Sequence, residues 1–260
     1  MTVEIHGALA AHPWLDDLDR AEFRESVLDL AVERTDAYGW HAPYGWQTSS
    51  GKKRFHLPDR WLDCEKGGDW AGDGQPRRLA WMRADIPEDA RHPRLPVLPM
   101  TRVLVDALGR VGTVGLAALR TYLPLQITAG DAEGDWEDMR DWFALADPDG
   151  AVDVLVTVSA APSSAWRRES TTRVRDAVRE RVGGAADVRD SSPEAGARQP
   201  ARVEERPLVE GARAVVRFGC RAREWSPEVA VWLVEATGDA LRATGHTLPV
   251  VVTAARVSPA

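Results

Sequence analysis

The sequence predicts an α+β protein built from two similar halves, and three observations lead there. Alternating apolar segments are interspersed with helical patterns instead of being grouped together. Similar pieces recur in the same order in the two halves. The length of 260 residues fits one large domain or two small ones.

The recurrence begins with Val3–Pro13 and Val152–Pro162. Both start with Val and an acid, alternate, and end at Ala-x-Pro. A helical pattern follows each. VLDLAVER at 27–34 and VRDAVRER at 174–181 coincide at four of eight positions. Near the ends, Leu123–Ala129 (LPLQITA) resembles Leu248–Ala254 (LPVVVTA). Just before them stand Ala118-Leu-Arg120 and Ala240-Leu-Arg242.

Each half then reads strand, helix, gap, strand, helix, strand. In the first half the strands are Val3–Ala10, Arg78–Ile86 and Leu116–Ile127, and the helices Arg20–Thr35 and Thr101–Leu108. Gly109, Gly112 and Gly115 blur the end of that second helix. In the second half Val152–Ala160 alternates over nine residues, as a half-buried strand does. Ser170–Val182 is helical, with Ser170, Thr171 or Thr172 available as cap. Ala212–Arg223 is a long strand. Ser226-Pro227-Glu228 is a helix start, with a capping hydroxyl, a proline in the first turn and an acid at the positive end. That helix runs to about Thr244, where Gly245 stops it. Leu248–Val257 is the last strand.

The order is taken as β-α-β-β-α-β, the split βαβ arrangement of ferredoxin-like folds. The predicted architecture is a tandem duplication of ferredoxin-like halves about a pseudo-twofold axis. Residues 1–130 form the first half, 131–150 an acidic linker and 151–260 the second half. Two antiparallel sheets are expected, each with helices on one face, packed face to face within one chain or between chains. A single irregular α/β domain is the alternative.

The gaps differ in kind. Gly183–Arg206 is polar and lacks the apolar surface to offset its ordering entropy, so a flexible loop is expected. Ala37–Pro76 is a Trp-rich insertion. Trp40, Trp46, Trp61, Trp70 and Trp81 fall within 42 residues, and Tyr44 and His41 stand among them. Flat rings with one polar tip suit a partner or ligand surface, and equally suit covering an open sheet edge. The run SSGKKR at 49–54 lacks the spacing of a phosphate loop.

On the strand at 213–223, period two puts Phe218 and Cys220 on one face and Arg213, Arg217, Arg221 and Arg223 on the other. The helices should cover the apolar face. The arginine face is either solvated and balanced by acids or an anion-binding groove. Glu4 and His6 share the polar side of the first strand. The stretch Asp131–Asp141 holds six acids and could pair with the arginine strand.

Net charge is −7, and thirty arginines stand against three lysines. That charge argues against nonspecific nucleic-acid binding. Only one aromatic, Phe218, stands in the arginine strand, which argues against an RNA-recognition module. No apolar run reaches the roughly 18 residues a membrane helix needs. The start MTVEIHGALA has no basic n-region, and cytoplasmic localisation is expected. Two cysteines make neither a disulfide framework nor a cysteine-rich zinc site, and no metal or cofactor is expected. No nucleophile motif is present.

Two functions remain. The first is a non-catalytic binding or protein-interaction protein of the adaptor, assembly or immunity type, using the Trp-rich insertion. The second is a cofactor-independent enzyme or small-molecule binder of secondary metabolism, working in an arginine-lined cleft between the two sheets. There Trp40, Tyr44 and Trp46 would stack an acidic or aromatic molecule, and Arg217 and Arg221 would hold its acidic group. His6 or His41 would move a proton. The chain is expected as a monomer or homodimer, with no membrane partner.

Overall fold

Among the described residues the chain forms eight strands, and every hydrogen-bonded neighbour pair among them is antiparallel. The computed structural model describes residues 1–15, 20–37, 62–70, 75–86, 95–128, 136–163, 166, 168–190 and 208–257. In chain order the elements are β1 (Thr2–Ala11), α1 (Arg20–Ala37), β2 (Leu62–Gly67), β3 (Arg77–Asp85), α2 (Val97–Val111) and β4 (Gly112–Leu123). Then come α3 (Trp136–Ala144), β5 (Val152–Ala160), α4 (Arg168–Val182), β6 (Ala186–Asp190), β7 (Arg213–Ala222), α5 (Pro227–Ala243) and β8 (Val250–Arg256). The strands form one sheet in the order β2-β3-β1-β4-β8-β5-β7-β6. The chain is a mixed α/β protein with one large antiparallel sheet.

The expectation of two facing sheets is corrected by this seam. β4 and β8 each end their own group of four strands. They pair edge to edge from Ala118 with Ala255 to Leu123 with Val250. Pairing satisfies two rows of backbone donors and acceptors that would otherwise stand open. An arginine-lined cleft between two sheets therefore has no place within the described chain.

Each predicted gap holds a strand. β2 lies inside 37–76, and β6 inside the segment 183–206 that reads as a flexible loop. Both are short strands at the ends of the sheet and carry charges: Asp63, Glu65 and Lys66 in β2, and Asp187, Arg189 and Asp190 in β6. In β6 only Ala186 and Val188 are buried, too little apolar signal to stand out. Residues 191–207 lie outside the described residues.

The sequence matches land unevenly. β1 and β5 hold equivalent places in their halves, as do α1 and α4. Leu123–Ala129 does not match Leu248–Ala254 in place. The first segment leaves β4 into a 3-10 turn at Leu125–Ile127, and the second leads into β8. Ala118–Arg120 is strand and Ala240–Arg242 is helix.

The core is one apolar layer between sheet and helices. Two rows cross six strands in register: Met82, Val3, Thr121, Val252, Val158, Val216 and, next to it, Ala80, Ile5, Leu119, Ala254, Val156, Phe218. Every one of these residues is 1% exposed or less. α2 meets this face with Met100, Val103, Leu104, Ala107, Leu108 and Val111, at helical spacing. α1, α2, α5 and α4 lie side by side in that order. α5 runs under the seam and touches both β4 and β8.

The start of α5 is as the sequence predicts. Val229 N donates to Ser226 Oγ at 3.2 Å, and Pro227 occupies the first turn. The end is Thr244 followed by Gly245 at φ +88°, a backbone region that favours glycine. α3 falls inside the segment expected as an acidic linker. Its Phe143 stacks on Trp232 of α5 with ring centroids 4.6 Å apart, which fastens this helix to the layer.

His246 follows α5, where a protonated imidazole would be expected to favour the negative helix end. Instead its ring stacks flat on Trp166 at 4.2 Å, and burial, reinforced by the charge of Arg173, holds its pKa below 6.5. A depressed folded-state pKa means that the unfolded chain binds the proton more readily, so stability falls as pH drops below about 6.5. Urea unfolding at pH 7.5 and pH 5.5 checks this. The unaltered chain should lose more stability between the two than His246→Phe does.

Candidate functional site

The two faces of the sheet differ. Opposite the apolar core runs a row of Trp81, Glu4, Arg120, Thr253, Thr157 and Arg217, paired strand to strand. A second row holds Arg78, His6, Ala118, Ala255, Leu155 and Gly219. Over β7 this face is open among the described residues, and Arg217 and Arg221 are exposed. Over β1 and β4 it is buried: Glu4 is 1% exposed, His6 2% and Arg120 7%.

Glu4 is the centre of the buried part. Arg120 donates to its Oε2 at 2.9 Å and Arg78 to its Oε1 at 3.0 Å. His6 Nε2 stands 3.3 Å from Oε2. An ionised carboxylate only accepts, so Nε2 carries the hydrogen and Nδ1 is left as the open nitrogen. Nδ1 is buried without a hydrogen-bond partner. Burial alone would raise the Glu4 pKa. Hydrogen bonds from His6 and Arg120, with the Arg120 charge, overcome it and hold the group at about 2. Arg78 also lies over the Trp81 ring, 5.1 Å from its centroid.

Local backbone shape sets His6. The β1–β3 register shifts between Ile5 and His6, and the β1–β4 register between His6 and Gly7. Such bulges re-aim a side chain out of the regular pleat. Gly7 makes the second one feasible, because a Cβ there would stand 2.3 Å from the Gly115 carbonyl oxygen.

The sequence-predicted residues do not converge. Arg217 sits three strands from Arg120, about 14 Å at the usual strand spacing, and the His6 and Arg217 columns are four strands apart, about 19 Å. Arg221 is in register with Asp153 on one side and Asp187 on the other, which matches a charge-balanced face. Arg213 leaves the arginine face. The register shift between Val158 and Ser159 pairs Arg213 with Ala160, a residue of the apolar side. Arg223 donates to the carbonyl of Ala144 at the end of α3. Trp40, His41, Tyr44 and Trp46 lie outside the described residues. Trp70 of the same insertion is buried and donates its indole N–H to Leu79 O at 2.8 Å.

Sequence reasoning placed Glu4 and His6 on a common side but missed Arg78 and Arg120. Both sit in segments read only as strands, and cross-strand register is what brings them to Glu4. The Cys220 thiol is pushed up to about 12 by burial and the Asp187 charge, so it supplies no thiolate at neutral pH. Among the described residues no group of three His, Cys, Asp or Glu side chains is placed to hold a metal. No helix among them is long and apolar enough to cross a membrane.

No known family model matches the chain, and comparison with curated proteins and with solved structures returns no match.

Removing one partner from a buried ion cluster leaves uncompensated charge behind. Glu4→Gln should cost about 3–5 kcal/mol in urea unfolding at pH 7. It should also remove the stability that the unaltered chain loses as pH falls from about 4.5 towards 2, since protonation then abolishes the carboxylate.

Proposed function

We propose that the chain is a non-catalytic binding protein of the adaptor, assembly or immunity type, which engages a protein partner through its Trp-rich insertion. One observation carries this reading. Of the two histidines expected to move a proton, His6 lies among the described residues, and it spends its Nε2 on a Glu4 carboxylate that two arginines also hold. Such a cluster braces three strands and offers no free carboxylate for acid–base work at neutral pH. The insertion contains β2, which among the described strands stands at one end of the sheet. We also read the halves, residues 1–130 and 151–260, as tandem ferredoxin-like units. Their strands follow the same order, β2-β3-β1-β4 and β6-β7-β5-β8, and meet at an antiparallel seam, as a pseudo-twofold axis requires.

The three lysines make a test convenient. Lys52 and Lys53 belong to the insertion and Lys66 to β2. A lysine-reactive cross-linker applied to the tagged chain in its native cells should join one polypeptide, in stoichiometric amount, to these positions. Deleting residues 40–61 should abolish its capture. Full capture after the deletion would refute the reading.

A second reading, a cofactor-independent enzyme or small-molecule binder, draws on the orphaned Nδ1 of His6 between two bulges. In it His6 accepts a proton from a hydroxyl-bearing molecule, and Arg217 and Arg221 take no part. If this holds, His6→Gln abolishes turnover of any substrate found, while His41→Gln does not.

A further inference from the structure

α3 has an inner and an outer side. Trp136, Met139, Arg140 and Phe143 recur at helical spacing and are half-buried or buried. Phe143 stacks on Trp232 of α5, and Arg140 donates to the Glu180 carbonyl of α4 at 3.3 Å. Beyond the helix the chain turns tightly. Leu145 N donates to Trp142 O at 3.2 Å, Asp149 N to Asp147 Oδ1 at 3.0 Å and Gly150 N to Asp147 O at 2.9 Å. Inner contacts and backbone bonds therefore fix both the helix and the turn after it.

The outer side carries apolar groups that this packing does not use. Trp142 is 62% exposed and Leu145 80%. They stand three residues apart in one turn, so their side chains are neighbours. A single exposed apolar residue needs no explanation. Here a leucine adjoins a tryptophan, the residue type most prone to anchor a protein contact.

Acids surround the pair. Residues 137–149 hold five exposed acids, Glu137, Asp138, Asp141, Asp147 and Asp149, and one base, Arg140, which is spent on α4. Among the described residues none of these five carboxylates has an ion-pair partner, the arginines of β7 included. Glu137 and Asp138 also suit the positive end of the helix, and Asp147 closes its own turn. Asp141 and Asp149 have no such duty. A second copy meeting this surface with the same surface would set like charges face to face, and an anionic membrane would be repelled as well. A cationic partner is complementary.

We propose that the outer side of α3 and the turn after it dock a lysine- or arginine-rich amphipathic segment of another protein. Its apolar residues lie against Trp142 and Leu145, and its cations against the acids around them. The proposal does not rest on the Trp-rich insertion.

The probe is a fluorescent peptide of about five helical turns, made of lysine, alanine and leucine, with leucine along one face. By fluorescence anisotropy it should bind the purified full chain with Kd below about 100 μM at low salt. Binding should weaken about tenfold or more between about 0.05 M and 0.5 M salt. Replacing its leucines with alanine should cost about tenfold as well. Trp142→Ala with Leu145→Ala, and separately Asp138→Asn with Asp141→Asn, should each weaken binding about tenfold. Glu25→Gln with Glu33→Gln, which makes the same charge change at exposed positions of α1, should leave it unchanged. Carbodiimide, which joins amines to carboxylates, should link the peptide lysines of the unaltered complex to the acids of 137–149. That readout does not depend on how any variant folds. Absence of binding, an equal loss in the α1 variant, or linkage to acids elsewhere would overturn the proposal. A homodimer that Trp142→Ala converts to monomer in sedimentation would overturn it too, by giving the surface to a second copy.

Discussion

Six residue pairs between β4 and β8 turn two four-stranded groups into one sheet. The helix layer depends on that seam. α5 packs across it on both strands, α2 and α4 flank α5, and α1 leans on α2. Trp232 and Leu233 are fully buried in α5. Without the seam α5 would no longer rest on both strands, and two rows of backbone groups would need other partners. The opposite side of the continuous sheet mixes polar residues with small and apolar ones such as Ala118, Ala255 and Leu155, and this is where the Glu4 cluster sits.

That cluster shows the cost and the use of buried charge. Glu4 is out of water and would be destabilising alone. Arg78 on β3, Arg120 on β4 and His6 on β1 surround it, so three adjacent strands are held at one register by charge-assisted hydrogen bonds. A one-residue slip of any of the three would strand the carboxylate. Exposed pairs such as Arg34 with Asp106, which bridges α1 and α2, fix far less, because water competes for both partners.

Much of the fold was legible where one physical signal dominated locally. β1, β3, β5 and β7 alternate, β8 is a short apolar run, and α5 carries its own cap and stop. What escaped depends on partners remote in sequence. β2 and β6 are end strands with few apolar residues, so only their pairing defines them. α3 looks like a charged linker until Phe143 meets Trp232. The match of LPLQITA to LPVVVTA is coincidental, since one follows a strand and the other opens one. At the site, alternation placed Glu4 and His6 together, but Arg120 lies in an apolar run and only cross-strand register assigns it. The bulge at Val215 is invisible to a period-two reading, which is why Arg213 was placed on the wrong face.

The position of β8 has a consequence for how the molecule is made. It is the last of the eight strands to be synthesised, yet it lies inside the sheet between β4 and β5. While the ribosome is still adding residues before Val250, both of those strands have an unoccupied edge and α5 has nothing to rest on across the gap. The first half can organise its own four strands early, but the second has only β5, β7 and β6 to pair. Closure of the whole molecule waits for one seven-residue segment, which enters a slot already flanked on both sides. Until then the nascent chain carries two pairing-competent edges, and this is the interval in which it is most exposed to association with other chains.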